Sequence, residues 1–154
     1  MKTKTENNYK MTESGIDIII SSVQLKKVPG TTDDWYPAIN QQALLNLIFK
    51  ALAETPQRLM GLHIKYIRKF MNRTQEEFAK DLSFTSPKQI RTWEQKGRNP
   101  ADILPIHEAN LKLLMMDFQG IQTLNVKNHL LLSRGKIPHI VAPIKLEEKE
   151  LRQA

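Results

Sequence analysis

The chain has 154 residues, a formal charge of +7 and no cysteine. Lacking cysteine, it has no disulfides, thiolate zinc sites or thiol nucleophile, and its basic excess favours an acidic partner, nucleic acid before an anionic membrane surface. Apolar and charged contents of 40% and 25% suit a folded chain, and no apolar run approaches the roughly 20 residues that span a bilayer.

Residues 1–13 are polar, poor in bulky apolar groups and without the apolar stretch of a signal peptide. They read as a flexible N-terminus on a cytoplasmic protein. Ile16, Ile18 and Ile20 alternate, and Val23 and Leu25 continue the period of two, which predicts strand over residues 16–28. Pro29 to Asp34 has the composition of a turn. Trp35–Tyr36–Pro37–Ala38–Ile39 predicts a short edge strand, because proline cannot donate to a central ladder. Asn40 is placed to cap a helix whose apolar positions Ala43, Leu44, Leu47, Ile48, Ala51 and Leu52 recur at three and four, and Thr55–Pro56 ends it.

Three helices follow closely. Leu59, Ile64, Ile67 and Met71 make the buried face of the first, over residues 59–71. Thr74 caps the second with Glu77 as its capping-box partner, turning Phe78, Ala79 and Leu82 inward. Ser86 caps the third, Pro87 takes its first position, Ile90 and Trp93 face inward, and Gly97 closes it. A further amphipathic helix spans Pro105 to Phe118 on Leu111, Leu114 and Met115, and stops at Gly120. Ile121, Leu124 and Val126, then Leu130–Leu132 and Ile137–Ile144, predict short extended segments, and Lys145–Ala154 a charged tail, helical or disordered.

On the third helix Lys88, Gln89, Arg91 and Thr92 lie off the Ile90–Trp93 face. Lys and Arg suit guanine edges, Gln suits adenine, and Thr can touch a thymine methyl, so such a helix fits the major groove. Gln75 opens the second helix, where backbone N–H groups attract phosphate. Arg73, Lys96, Arg98 and Asn99 flank these helices as further phosphate contacts.

Leu59–Pro100 resembles the helix-turn-helix of phage-repressor-type regulators, the XRE or Cro/CI family: Arg68 stands seven residues before Gln75, and Ile90 four before Glu94. The resemblance implies a buried Arg68–Glu94 salt bridge, a phosphate clamp by the Gln75 amide, and Lys88 and Thr92 at base-contacting positions, with Pro87 at a third. The turn Ser83–Phe84–Thr85 and the stretch Glu94–Gly97 each carry one residue more than the commonest spacing in that family. Upstream, Ser14–Gly15–Ile16–Asp17, a strand pair, an aromatic–Pro–x–Ile strand, a helix and Leu59–Met60–Gly61 resemble the layout of MqsA-type antitoxins, without their zinc-binding cysteines.

Together these readings imply a mainly α fold: a five-helix-type phage-repressor domain, a small β-rich N-terminal part and short strands at both ends. The expected division is a flexible segment 1–13, a β-rich and helical region 14–56, the helix-turn-helix domain 57–119, and an extended segment 120–154 that serves as dimer or partner surface. The implied function is a sequence-specific repressor that binds a palindromic double-stranded DNA operator as a homodimer. As the antitoxin of a type II toxin–antitoxin system it would autoregulate its operon and bind a toxin protein. The alternatives are a phage or mobile-element repressor without a toxin, and an interaction module that does not read DNA. No Gly-rich phosphate loop, activated serine or paired carboxylates point to an enzyme, and His63, His107, His129 and His139 lack metal-ligand spacing, so neither cofactor nor metal is expected.

Overall fold

The computed structural model describes residues 2–27, 29–30, 34–54, 58–120 and 143–152. In chain order its elements are β1 (Lys2–Glu13), β2 (Ile16–Lys27), β3 (Tyr36–Pro37), α1 (Gln41–Glu54), α2 (Gly61–Phe70), α3 (Gln75–Asp81), α4 (Lys88–Glu94), α5 (Pro105–Gln119), β4 (Ile144–Leu146) and α6 (Glu148–Arg152). They fall into two compact units, residues 1–48 with 142–154, and residues 49–141, so the division runs through α1.

The first unit is built on an antiparallel hairpin. Ser14 and Gly15 both take positive φ, 51° and 80°, as a two-residue type I′ loop requires. That loop fixes the register from Glu13 opposite Ile16 out to Lys2 opposite Lys27. Asn8 and Ser21 drop out of the pairing, and Asn8 has φ 50°. There the buried face of β2 changes phase, from Ile16, Ile18 and Ile20 to Val23 and Leu25. The other edge of β2 pairs with β3, antiparallel at Leu25 and Lys26, and with β4, parallel at Ile18 to Ile20. Ser21 Oγ donates to Glu147 Oε2 at 2.9 Å beside β4, and Leu146 and Leu151 are buried. Asn40 Oδ1 accepts from Ala43 N–H at 2.9 Å, capping α1 as its sequence requires.

A four-stranded mixed sheet with two 12-residue strands makes the chain an α/β mix. It overturns the expectation of a mainly α chain organised as a five-helix domain with short terminal strands. The physical reason lies in β1. Among the described residues this strand pairs on one side only, and it leaves most of its side chains in water, so it needs no apolar alternation and its composition resembles that of a loop. Lys2–Glu13 is a strand, not a flexible terminus. Lys145 and Leu146 likewise belong to β4 and residues 148–152 to a helix. The extended segments expected between residues 121 and 142 lie outside the described residues.

In the second unit Leu59, Ile64, Ile67 and Met71 are buried, with Phe78, Ala79, Ile90, Trp93, Ala109, Leu111 and Met115. Leu82 and Leu114 are half-buried. Phe70 stacks on Phe49 at 4.2 Å between centroids, and both meet the Phe118 ring edge-on. The start of α2 lies against the end of α4: Leu62 N–H donates to Gly97 O at 2.8 Å and Gly61 N–H to Asn99 O at 3.1 Å. Only glycine fits at position 61, because a Cβ would come within 2.5 Å of Trp93 O and 2.6 Å of Gly97 N.

Candidate nucleic-acid interface

Helix ends determine how α2, α3 and α4 follow one another. At the end of α2, Asn72 (φ 56°) donates to Lys69 O and Arg73 N–H to Arg68 O; at the end of α3, Ser83 (φ 65°) donates to Lys80 O and Phe84 N–H to Ala79 O. Each is a Schellman motif with a left-handed non-glycine residue. The second sets the six-residue link Leu82–Pro87 and brings the Phe84 ring edge-on to Trp93, 5.4 Å away. Thr74 Oγ1 accepts from Glu77 N–H at 3.1 Å while Glu77 Oε1 accepts from Thr74 N–H at 3.2 Å, the capping box read from sequence. Hydrogen bonding to its carboxylate, first from the Thr74 backbone N–H and then from the Thr74 side chain, holds Glu77 below the ordinary carboxylate range, with the Arg73 and Lys80 charges adding to it. On α4, Lys88 N–H reaches Ser86 Oγ at 3.4 Å, and the regular helix begins just after Pro87.

Buried Ile90 and Trp93 turn the other side of α4 to solvent, and Lys88, Gln89, Arg91 and Thr92 are all exposed there. Thr92 Oγ1 donates to Lys88 O at 3.0 Å, which restrains its rotamer and leaves its methyl as the distinctive outward group. This is a four-residue face of two cations, an amide and a hydroxyl on one seven-residue helix.

Beneath it Glu94 ties three segments together. Arg68 Nε donates to Glu94 Oε1 at 2.6 Å and Nη2 to Oε2 at 3.4 Å, while Gln75 Nε2 donates to Glu94 Oε2 at 2.6 Å. Arg68 Nη1 also donates to Arg73 O at 3.0 Å. The Arg68 and Glu94 side chains are 13% and 7% exposed, so a single carboxylate positions the first residue of α3 and the last of α4 from within. Gln75, read from sequence as a phosphate clamp, has one amide hydrogen engaged on Glu94 and holds its headgroup in place.

The flanking residues divide. Arg73 makes a bidentate pair with Asp81, 2.8 Å in each arm, and an ion pair with Glu77 at 2.9 Å. The Asp81 bond, then the two acids' charge, raises its affinity for the proton. Lys96 lies 3.5 Å from Asp102, both ends exposed. Asn99 is exposed with its backbone bonded to Gly61 and Lys96, and Arg98 is exposed beside it. Asp81 was the missing signal for Arg73: eight residues away, it has no helical spacing to reveal it.

A second polar group escaped the sequence reading. Glu108, 1% exposed, accepts from Arg58 Nε at 2.8 Å and, through its other oxygen, from Leu59 N–H; Arg58 also donates to Ile103 O. Lys112, one turn on, is 5% exposed. His63, 2% exposed, accepts through Nδ1 from Met60 N–H at 2.9 Å. Burial, with the Lys112 ammonium adding to it, pushes His63 down to about 4. Burial also pulls Lys112 down to about 8, against the attraction of Glu108. This is a structural network inside the helical unit.

No family model, curated protein or solved structure matches this chain. Among the described residues no three His, Cys, Asp or Glu side chains are grouped to hold a metal, and no helix is long and apolar enough to cross a membrane.

Proposed function

We propose that the protein is a sequence-specific DNA-binding transcriptional regulator that inserts α4 into the major groove. The observation that carries this reading is the exposed Lys88, Gln89, Arg91 and Thr92 face, borne on a helix that Arg68, Glu94 and Gln75 lock to its neighbours. Base readout needs such side chains on an element with little freedom, because hydrogen bonds to base edges tolerate little misplacement. Gln75, Lys96, Arg98 and Asn99 serve as phosphate contacts, whereas Arg73 acts through Asp81 and Glu77 as a brace.

The regulator acts as a homodimer on a two-fold operator, since one short helix covers only a few base pairs. Its resemblance to XRE-type motifs and to the layout of MqsA-type antitoxins supports the role of an antitoxin that represses its own operon. An electrophoretic shift with the DNA upstream of its own gene tests the reading. A specific shift is expected, weakening steeply with salt as counterions are released, and Arg91→Ala should cost about 1–3 kcal/mol at one base position. Binding that is equal for operator and random duplex overturns it. Copurification of a small protein from the adjacent gene separates an antitoxin from a phage or mobile-element repressor.

A further inference from the structure

Among the described residues β1 pairs with β2 alone, and its other edge, 12 residues long, carries no ladder. Such an edge of unsatisfied N–H and C=O groups is a template for another strand, and chains that keep it single interrupt it with proline, a bulge or guard charges. β1 contains no proline, and its register against β2 gains no extra residue from one end to the other. Its charges are Lys2, Lys4, Glu6, Lys10 and Glu13. They guard the edge only if no register matches them. The Lys4 ammonium lies 4.7 Å from the Trp35 ring centroid, whereas Lys2 and Glu13, at the two ends, form no ion pair among the described residues.

Directly opposed residues share a face of a sheet. Lys4 and Glu6 stand opposite buried Leu25 and Val23, and Tyr9, Met11 and Glu13 opposite buried Ile20, Ile18 and Ile16. The inward residues of β1 are therefore even-numbered before Asn8 and odd-numbered after it, and the phase changes at Asn8, with φ 50°. A regular strand pairs antiparallel with its own copy only even to even and odd to odd, since any other register puts inward against outward residues. Across its phase change β1 matches even to odd. Full overlap in that sense sets Lys2 opposite Glu13 of the second copy at both ends, with Thr3 opposite Thr12 and Glu6 opposite Tyr9 between them. No like charges then stand directly opposite, and Asn7 and Asn8 flank the centre. A slip of two residues either way shortens the ladder, and it either loses the ion pair or draws on Lys4, already over Trp35. We propose that β1 is a self-pairing edge, through which two copies of the chain join their hairpins into one continuous sheet about a two-fold axis at Asn7–Asn8. The surface lies within residues 2–13 and stands whether or not α4 reads DNA.

Sedimentation velocity of the full chain at micromolar concentrations tests it, with a dimer expected. Lys2→Glu and Glu13→Lys each set two like-charge pairs across the two-fold axis and should weaken the dimer by about 2- to 30-fold, the range for two cross-strand ion pairs. The double variant Lys2→Glu with Glu13→Lys restores opposite charges and should restore the dimer. Within its own hairpin Lys2→Glu faces Lys27 and Glu13→Lys faces Ile16, so neither single variant gains a like-charge pair there. The chain has no cysteine, so Thr3→Cys with Thr12→Cys gives a second readout. These positions lie about 30 Å apart along one extended strand, too far for a disulfide except between copies. A covalent dimer is expected from that pair on mild oxidation, and none from either cysteine alone. Arg91→Ala on α4 should leave sedimentation unchanged. A monomer throughout, a chain whose β1 pairs only with a different protein, or a dimer that ignores both charge reversals and does not cross-link overturns the proposal. The last of these leaves the α4 reading standing, so the two fail separately.

Discussion

Two residues carry the arrangement of the helical unit out of proportion to their size. Glu94 accepts from both Arg68 and Gln75, so truncating it strands a guanidinium that is 13% exposed and an amide at once. Removing one partner of a largely buried pair costs about 3–5 kcal/mol. Glu94→Ala and Arg68→Ala should therefore lose stability of that order in urea denaturation before any change in base preference; a normal midpoint with lost DNA binding would show instead that the pair acts at the interface. Gly61 acts through what it lacks. The atoms a Cβ would meet at 2.5 and 2.6 Å are backbone atoms of Trp93 and Gly97, which cannot rotate away. Gly61→Ala should cost about 1–3 kcal/mol by overpacking, and unchanged stability would mean that α2 and α4 separate freely. The Arg68–Glu94 pair was legible in advance because a spacing resemblance pointed to it. Nothing in the sequence marks Gly61 as a contact, because a glycine in the first turn of a helix reads simply as permissive backbone.

At the level of elements, the local signals were legible where they act over a few residues. The Asn40 cap, the Thr74–Glu77 capping box and the terminal glycines at positions 97 and 120 all stand where side-chain chemistry within one turn requires them. What was not legible is set by distant partners. β1 is a strand because β2 and the Ser14–Gly15 loop pair its backbone, and β4 reaches β2 from more than a hundred residues away. Glu108 and Lys112, a turn apart on α5, are both buried, and nothing within one turn of them announces it. The helix ends also hold strain that can be removed. Ser83 sits at φ 65° with its N–H bonded to Lys80 O, a conformation glycine adopts without a Cβ penalty. Ser83→Gly should stabilise the helical unit by about 0.5–1 kcal/mol, net of the extra freedom of the unfolded chain, and raise the urea midpoint without changing the slope. A lower midpoint would mean that the serine hydroxyl contributes more than the strain costs.

For the molecule as a whole, the buried network makes stability depend on pH with a sign that can be worked out. His63 has a folded pKa near 4 against an unfolded value of 6.5. Between those values the unfolded chain binds the extra proton, so stability rises with pH across this window and is lost as pH falls from about 6.5 to about 4. A shift of this size corresponds to an order of about 3 kcal/mol. Lys112 does not mask it: its folded value near 8 lies below its unfolded 10.5, so its own dependence falls in the alkaline range, where stability rises further from 8 to 10.5. The chain contains two tryptophans, and Trp93, 1% exposed, reports on the helical unit once Trp35→Phe silences the other. Urea titrations of that variant followed by Trp93 fluorescence should lose most of this increment between pH 6.5 and 4. His63→Gln, whose amide keeps an acceptor for the Met60 N–H and does not titrate, should flatten the profile in that window. An equally steep acid limb in His63→Gln would show that the loss does not come from His63.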